Sequence, residues 1–170
     1  MKLVTPHRSW CPCCVAGRGK SDSHFKGDGE EKTIAGVHVD YWFLRDQPGG
    51  DSTPVLVAKD DETKSFAAHV VFQKGNLDWV ADRVVEDIDR FGHSAKVCIK
   101  SDQEPALVDL VRTVKNKRSG ETILEHSKVY DSQSNGTVER AIQTVEGLTR
   151  TIKISFERKL GKKVPAVTRL

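Results

Sequence analysis

A change of hydrophobic period divides this chain. From Ile34 to Phe72 apolar residues recur at alternate positions, whereas from Leu77 onward most recur at every third and fourth position. Residues 34–44 are β-branched and aromatic, with Val37, Val39, Tyr41 and Phe43 alternating against His38, Asp40 and Trp42. That pattern predicts a strand buried on at least one face. Residues 54–58 and 65–72 predict two more strands, set off by the Gly-rich loop 48–51 and the turn 60–63, so the three form an antiparallel meander. Asn76 is placed to cap a helix whose Leu77, Val80, Ala81, Val84, Val85, Ile88 and Phe91 fall at helical spacing, with Gly92 just past its end. Residues 95–99 predict a short strand ending at Lys100-Ser-Asp102, and Pro105 opens a helix through Leu107, Leu110, Val111 and Val114. A turn at 115–120, a strand at 122–125 and a polar loop at 126–136 follow. The last helix begins at Thr137, with Val138, Ala141, Ile142, Val145, Leu148, Ile152 and Phe156 on its inner stripe. The order βββαβαβα predicts one α/β domain, a mixed five-stranded sheet flanked by helices.

A chain of 170 residues has room for one such domain and a short appendage. Hydrophobic residues make up 37% and charged residues 30%, enough for a real core and too balanced for a disordered chain. No apolar stretch suits a membrane span or a secretory signal, so an intracellular protein without a membrane partner is expected. The net charge of +3 is too mild to indicate nucleic acid, yet residues 140–170 carry eight basic residues against two acidic ones. Three of the four cysteines crowd into Cys11-Pro-Cys13-Cys14, which fits free thiols or a metal site better than disulfides. Cys98, inside an apolar run, reads as a core thiol, and His69 and His126 read as surface or packing residues.

Asp40 stands in the middle of an apolar strand, where a lone ionised carboxylate costs several kcal/mol, roughly, unless something positive compensates it. Asp102 ends a strand that would run parallel to and beside the first, about 5 Å away. It is also well placed to cap the helix at Pro105. Glu139 opens the last helix. Three carboxylates converging from separate elements repel one another, and a hard divalent cation, Mg²⁺ or Mn²⁺, removes that repulsion. His38, on the same strand face as Asp40, is a poorer ligand for such an ion.

Val37-His-Val-Asp40, Lys100-Ser-Asp102 and Ser132-Gln-Ser-Asn-Gly-Thr-Val-Glu139 resemble the three acidic motifs of retroviral and retrotransposon integrase catalytic cores, with 36 residues between Asp102 and Glu139. The resemblance implies a ribonuclease-H-like fold and two-metal polynucleotidyl transfer that processes element cDNA ends and joins them to target DNA. Asp40 would bridge the ions, and Asp102 and Glu139 would each hold one. Gln143, Arg150, Lys153, Lys159, Lys162 and Lys163 would then contact the DNA backbone. It further implies a homo-oligomer in the full-length form, nuclear at the integration step and otherwise cytoplasmic. Cys11 and Cys14 resemble the second half of the zinc module that precedes such cores, so residues 1–32 read as a partial zinc-binding segment and linker, 33–160 as the catalytic core, and 161–170 as a truncated basic tail. A self-contained Zn²⁺ site of His7, Cys11, Cys14 and His24 is the alternative. The chain departs from the family at Gln103-Glu104, where many members have Asn-Gly, and at Gln143 and Glu146, where many have lysines. Two other functions stay open: a non-catalytic nucleic-acid-binding remnant of a retroelement, and a ribonuclease-H-type hydrolase of hybrid duplexes, against which the 133–139 motif speaks.

Overall fold

The computed structural model describes residues 11–14, 34–45, 52–126 and 132–165. The alternating segments form β1 (Gly36–Arg45), β2 (Ser52–Asp60) and β3 (Phe66–Val70). Helix α1 (Asp78–Arg90) leads to β4 (Lys96–Ser101), α2 (Pro105–Lys117) to β5 (Glu121–His126), and α3 (Ser132–Leu160) follows. The sheet order is β3-β2-β1-β4-β5, so the first strand is central. It pairs antiparallel with β2 on one side and parallel with β4 on the other. The βββαβαβα order and the mixed five-stranded sheet are as the hydrophobic periods predict.

Strand alternation sends side chains to two layers. Val37, Val39 and Tyr41 of β1, Leu56 and Ala58 of β2, and Val97 and Ile99 of β4 pack against Val80, Val84 and Ile88 of α1 and Leu107, Leu110 and Val114 of α2. On the opposite face Val55 and Val57 meet Ala141 and Val145 of α3, joined by Trp42, Leu44 and Ile142. His38 and Asp40 belong by alternation to this second, thinner layer.

Several boundaries move for identifiable reasons. Asn76 does not cap α1: the N-cap is Leu77, without a side-chain bond, because Leu77 N–H closes a tight turn onto Gly75 O and places Asn76 inside it. α2 runs on to Lys117, whose ammonium bonds Asp82 at 2.7 Å and Asp78 at 3.1 Å and so ties α2 to α1. α3 begins at Ser132, within the expected loop, since a helix anchored by buried Val138, Ala141 and Val145 extends back through polar residues; residues 127–131 lie outside the described set. At its other end Ile152 and Phe156, expected on the inner stripe, are 59% and 52% exposed. A helix of 29 residues is about 43 Å long, and only its early turns meet the sheet.

At the end of the sheet where β4 and β5 begin, a buried polar network joins three connections. His93 Nε2 lies 2.8 Å from Asp60 Oδ1, and Arg118 donates to His93 O at 2.7 Å and to Thr122 Oγ1 at 3.0 Å. Burial alone would raise the Asp60 carboxyl, but hydrogen bonds from Thr63 and His93 hold it below the ordinary carboxylate range. Gly120 lies in the same region, and a Cβ there would sit 2.1 Å from Ala95 O and 2.3 Å from Ser94 O. Gly120→Ala should therefore destabilise the domain by about 2 kcal/mol or more. Gly136→Ala, with nothing within 4 Å of the new Cβ, should stabilise it by about 0.5–1 kcal/mol through helix propensity. Urea unfolding midpoints of the two variants would check the opposite signs.

Candidate active site

The parallel pairing of β1 with β4 sets the site. Gly36 lies opposite Cys98, Val37 opposite Ile99 and His38 opposite Lys100. The paired register ends there, but its direction leads Asp40 toward Asp102, and the Asp102 charge acts on the Asp40 carboxyl. The strands part there: β4 ends at Ser101, while β1 continues to Arg45 against β2 alone. Two carboxylates from distant parts of the sequence thus stand at the carboxyl edge of parallel strands, where α/β sheets open a crevice.

Local chemistry holds each acid. Asp40 Oδ1 accepts the Tyr41 N–H at 2.7 Å. Asp102 Oδ1 accepts the Glu104 N–H at 3.0 Å. The helix cap itself is Glu104, followed by Pro105 at the first position of α2, so Asp102 steadies the turn before the helix without serving as its N-cap residue. Glu104 receives Lys74 Nζ at 2.6 and 2.7 Å on its two oxygens. That ammonium also lies over the Phe43 ring at 4.8 Å and the Tyr41 ring at 5.4 Å.

Burial pushes the Asp40 carboxyl up to about 6, and the charges of Asp102 and Glu104 add to the rise; the Tyr41 N–H and Lys74 oppose it. Two hard oxygen donors side by side, one of them half-desolvated, and an ammonium drawn into the same corner suit a hard divalent cation. Such an ion would be held by Asp40 and Asp102. Glu139 is exposed on α3, next to buried Val138. Among the described residues no three of His, Cys, Asp and Glu are grouped so as to hold a metal. Of the three expected carboxylates, Asp102 acts on Asp40 by its charge, whereas Glu139 is not among the groups that shift the Asp40 carboxyl.

Sequence reasoning missed Lys74 and treated Glu104 only as a departure. The available signals were a Lys-Gly pair in the loop that follows β3 and an acid directly before the helix-opening Pro105. His38, on the Asp40 face, bonds Asp61 Oδ2 at 3.0 Å. His69 pairs with Asp87, and His126 Nδ1 lies 3.0 Å from Ser101 Oγ, so both have structural partners. Cys98 departs from a core thiol: it is half-buried, with its thiol 3.4 Å from Glu125 Oε2.

Of the expected DNA contacts, Gln143, Arg150, Lys159, Lys162 and Lys163 are exposed and Lys153 is half-buried. Arg150 bridges Glu146 at 2.6 Å, and Lys163 bridges Glu157 at 3.3 Å. Cys11, Cys13 and Cys14 are free thiols. They lie against Leu148, Ile152 and Phe156 of α3, where hydrogen bonds from Cys14 and then Cys13 hold Cys11 below the usual thiol range. His7 and His24 lie outside the described residues.

No protein-family model matches the chain, and no curated protein does. Among solved structures it is similar to a chain of the simian T-cell lymphotropic virus intasome in complex with PP2A regulatory subunit B56 gamma, at 15% identity and a TM-score of 0.55, covering 88% of this chain and 50% of that one. It is similar also to the HTLV-2 integrase catalytic core domain in complex with magnesium, at 13% identity and a TM-score of 0.51 in the trimeric form, covering 71% of this chain and 72% of that one. The dimeric form matches at 12% identity and a TM-score of 0.50, with the same coverage. The fold is that of retroviral integrase catalytic cores, the ribonuclease-H-like mixed sheet with flanking helices. The chain spans half the length of the intasome chain it matches.

A carboxyl whose folded value is raised from 3.8 to about 6 stabilises the fold fully below the unfolded value, and that contribution is lost as pH rises through about 6. In the presence of chelator, Asp40→Asn should be more stable than wild type at neutral pH by about 2 kcal/mol. The gap should close by about pH 4, where both side chains are neutral. Thermal unfolding across that pH range is the measurement.

Proposed function

We propose that this chain is the core of a metal-dependent polynucleotidyl transferase that processes retroelement cDNA ends and joins them to target DNA. The observation that carries the reading is the Asp40–Asp102 pair at the carboxyl edge of β1 and β4, in a sheet with the integrase-core fold. The HTLV-2 core of the same fold is in complex with magnesium, which supports divalent-metal use here. Divalent ions bound at the pair would lower the pKa of a water or a DNA 3′-hydroxyl and stabilise the departing 3′ oxygen in an in-line displacement.

The side chains divide the remaining work. Asp40, paired with Val57 of β2, would be the shared ligand, and Asp102, fixed by the Glu104 N–H, would be the second. Glu139 is the remaining carboxylate of this reading, presented from the early turns of α3. The stripe of α3 that carries Glu139 leads to Gln143, Arg150 and Lys153, and onward to Lys159, Lys162 and Lys163. A hydrogen-bonding residue followed by cations suits a phosphate backbone tracked without sequence preference. Among the described residues no helix is long and apolar enough to cross a membrane. A chromosomal DNA target implies nuclear action at the joining step, and the trimeric and dimeric forms of the HTLV-2 core support a homo-oligomer.

Asp102→Asn should leave the fold intact and abolish Mg²⁺- or Mn²⁺-dependent nicking and strand transfer on labelled DNA, because an amide neither neutralises nor holds the cation as well. Activity equal to wild type would sink the mechanism. Mn²⁺ should also raise the melting temperature of wild type and leave the Asp102→Asn variant nearly unchanged.

For DNA binding, the double variant Arg150→Ala with Lys153→Ala should weaken affinity for any duplex. It should flatten the log–log salt slope by about 0.9 for each phosphate no longer neutralised. Fluorescence anisotropy titrations at several salt concentrations read both quantities, and an unchanged slope would show that α3 does not follow the DNA backbone.

A further inference from the structure

The acid corner already contains a cation. Lys74 follows β3 in the loop that Gly75 turns, and its ammonium reaches across to both oxygens of Glu104, at 2.6 and 2.7 Å. Three features seat it there. The stem and ammonium lie against the Phe43 and Tyr41 rings, Gly75 N–H anchors the loop to Tyr41 Oη at 3.3 Å, and Lys74 is only 27% exposed. Glu104 in turn is fixed to the ligand strand, because its own N–H binds the Asp102 carboxylate. The charges of both Lys74 and Glu104 act on Asp40. One ammonium therefore pairs with Glu104 and acts by its charge on Asp40, whose carboxyl also feels Asp102 and Glu104, so its single charge does not offset the negative charge around Asp40.

We propose that Lys74 is a resident counter-cation that competes with the divalent ion: ion entry releases it from Glu104, and Glu104 then contributes its negative charge to the loaded site. This rests on the reading of Asp40 and Asp102 as metal-holding residues. Coulomb's law gives the direction. A divalent ion near two aspartates is repelled by a fixed ammonium and attracted by the carboxylate that the ammonium neutralises, and both effects are large in a partly desolvated corner. Lys74 thus acts on metal occupancy in two ways, by its own charge and by holding Glu104 neutralised. A purely structural Lys74–Glu104 pair would instead clip the β3–α1 loop to the start of α2, and its loss would loosen the site.

Mn²⁺ titration followed by electron paramagnetic resonance of the free ion separates the two. The variants are Lys74→Met, which keeps an unbranched apolar side chain against Tyr41 and Phe43, Glu104→Gln, and the double variant; circular dichroism and thermal unfolding in chelator verify the fold. Lys74→Met should bind Mn²⁺ about tenfold more tightly than wild type, Glu104→Gln more weakly, and the double variant more tightly than Glu104→Gln but less tightly than Lys74→Met, because the ammonium and the carboxylate are then both gone. Lys74→Gln, a second neutral replacement, should repeat the gain. Wild-type or weaker affinity in folded Lys74→Met and Lys74→Gln overturns the proposal, as does a double variant that binds as tightly as Lys74→Met, since Glu104 would then contribute nothing to the loaded site. Asp40→Asn serves as the reference: if it abolishes Mn²⁺ binding while the lysine variants change nothing, only the counter-cation role fails. If wild type binds no Mn²⁺ at millimolar concentration, the metal reading itself falls, and this role with it.

Discussion

The parallel pairing of β1 with β4 is the constraint on which the rest depends. Antiparallel neighbours could have been joined by a tight turn, but a parallel neighbour needs a crossover, and here that crossover runs through two further strands and α1. The pairing fixes a single register, with Gly36 opposite Cys98, and a slip of one residue would turn Val37 and Val39 out of the main core. The same register carries Asp40 to Asp102. Core packing and site geometry are therefore one choice, and a sequence that satisfies the hydrophobic pattern sets the carboxylates side by side as a by-product.

That arrangement is electrostatically uncomfortable, and the surroundings show how it is contained. Asp40 belongs by strand alternation to the thinner layer, and burial disfavours its charge. Relief comes from a backbone N–H and from an ammonium on a neighbouring loop. The opposite end of the sheet is arranged differently. There Asp60 is fully buried, but it receives Thr63 and His93, and the network extends through Arg118 to the start of β5. One end of the sheet pairs its buried carboxylate with hydrogen-bond donors from within, although Arg118 Nη1 of the same network has no hydrogen-bond partner among the described residues; the other end keeps excess negative charge. The contrast distinguishes a carboxylate fully occupied by internal donors from one left in a field of like charge more clearly than burial does.

Much of this was legible in the sequence. The period-two segments gave the meander, and the spacing from Leu77 to Phe91 gave α1, because a face that must be buried leaves its period in the residues that cover it. Asp40 stood out as an acid in an apolar strand, and the strand order put Asp102 beside it. What could not be read depends on contacts between segments. Lys117 prolongs α2 by reaching Asp78 and Asp82 on another helix. The tight turn at Gly75 removes Asn76 from the cap. The apolar stripe of α3 predicts burial as far as Phe156, yet the sheet offers no surface there. The Lys74–Glu104 pair spans 30 residues and leaves no periodic trace.

The central position of the first strand also orders events in time. Contacts between β1, β2 and β3 involve close neighbours along the chain, so the meander can form while the rest is still unstructured. β4 finds its place only after α1 has closed a much longer loop, and loop closure of that kind slows folding. Asp40 and Asp102 can meet only once β4 has docked, and the apolar burial of Val97 and Ile99 that accompanies docking works against their repulsion. A chain interrupted before β4 would display the open edge of β1, with its unpaired backbone groups, as a template for another strand. The feature that builds the site last is the one that leaves the unfinished chain most exposed to aggregation.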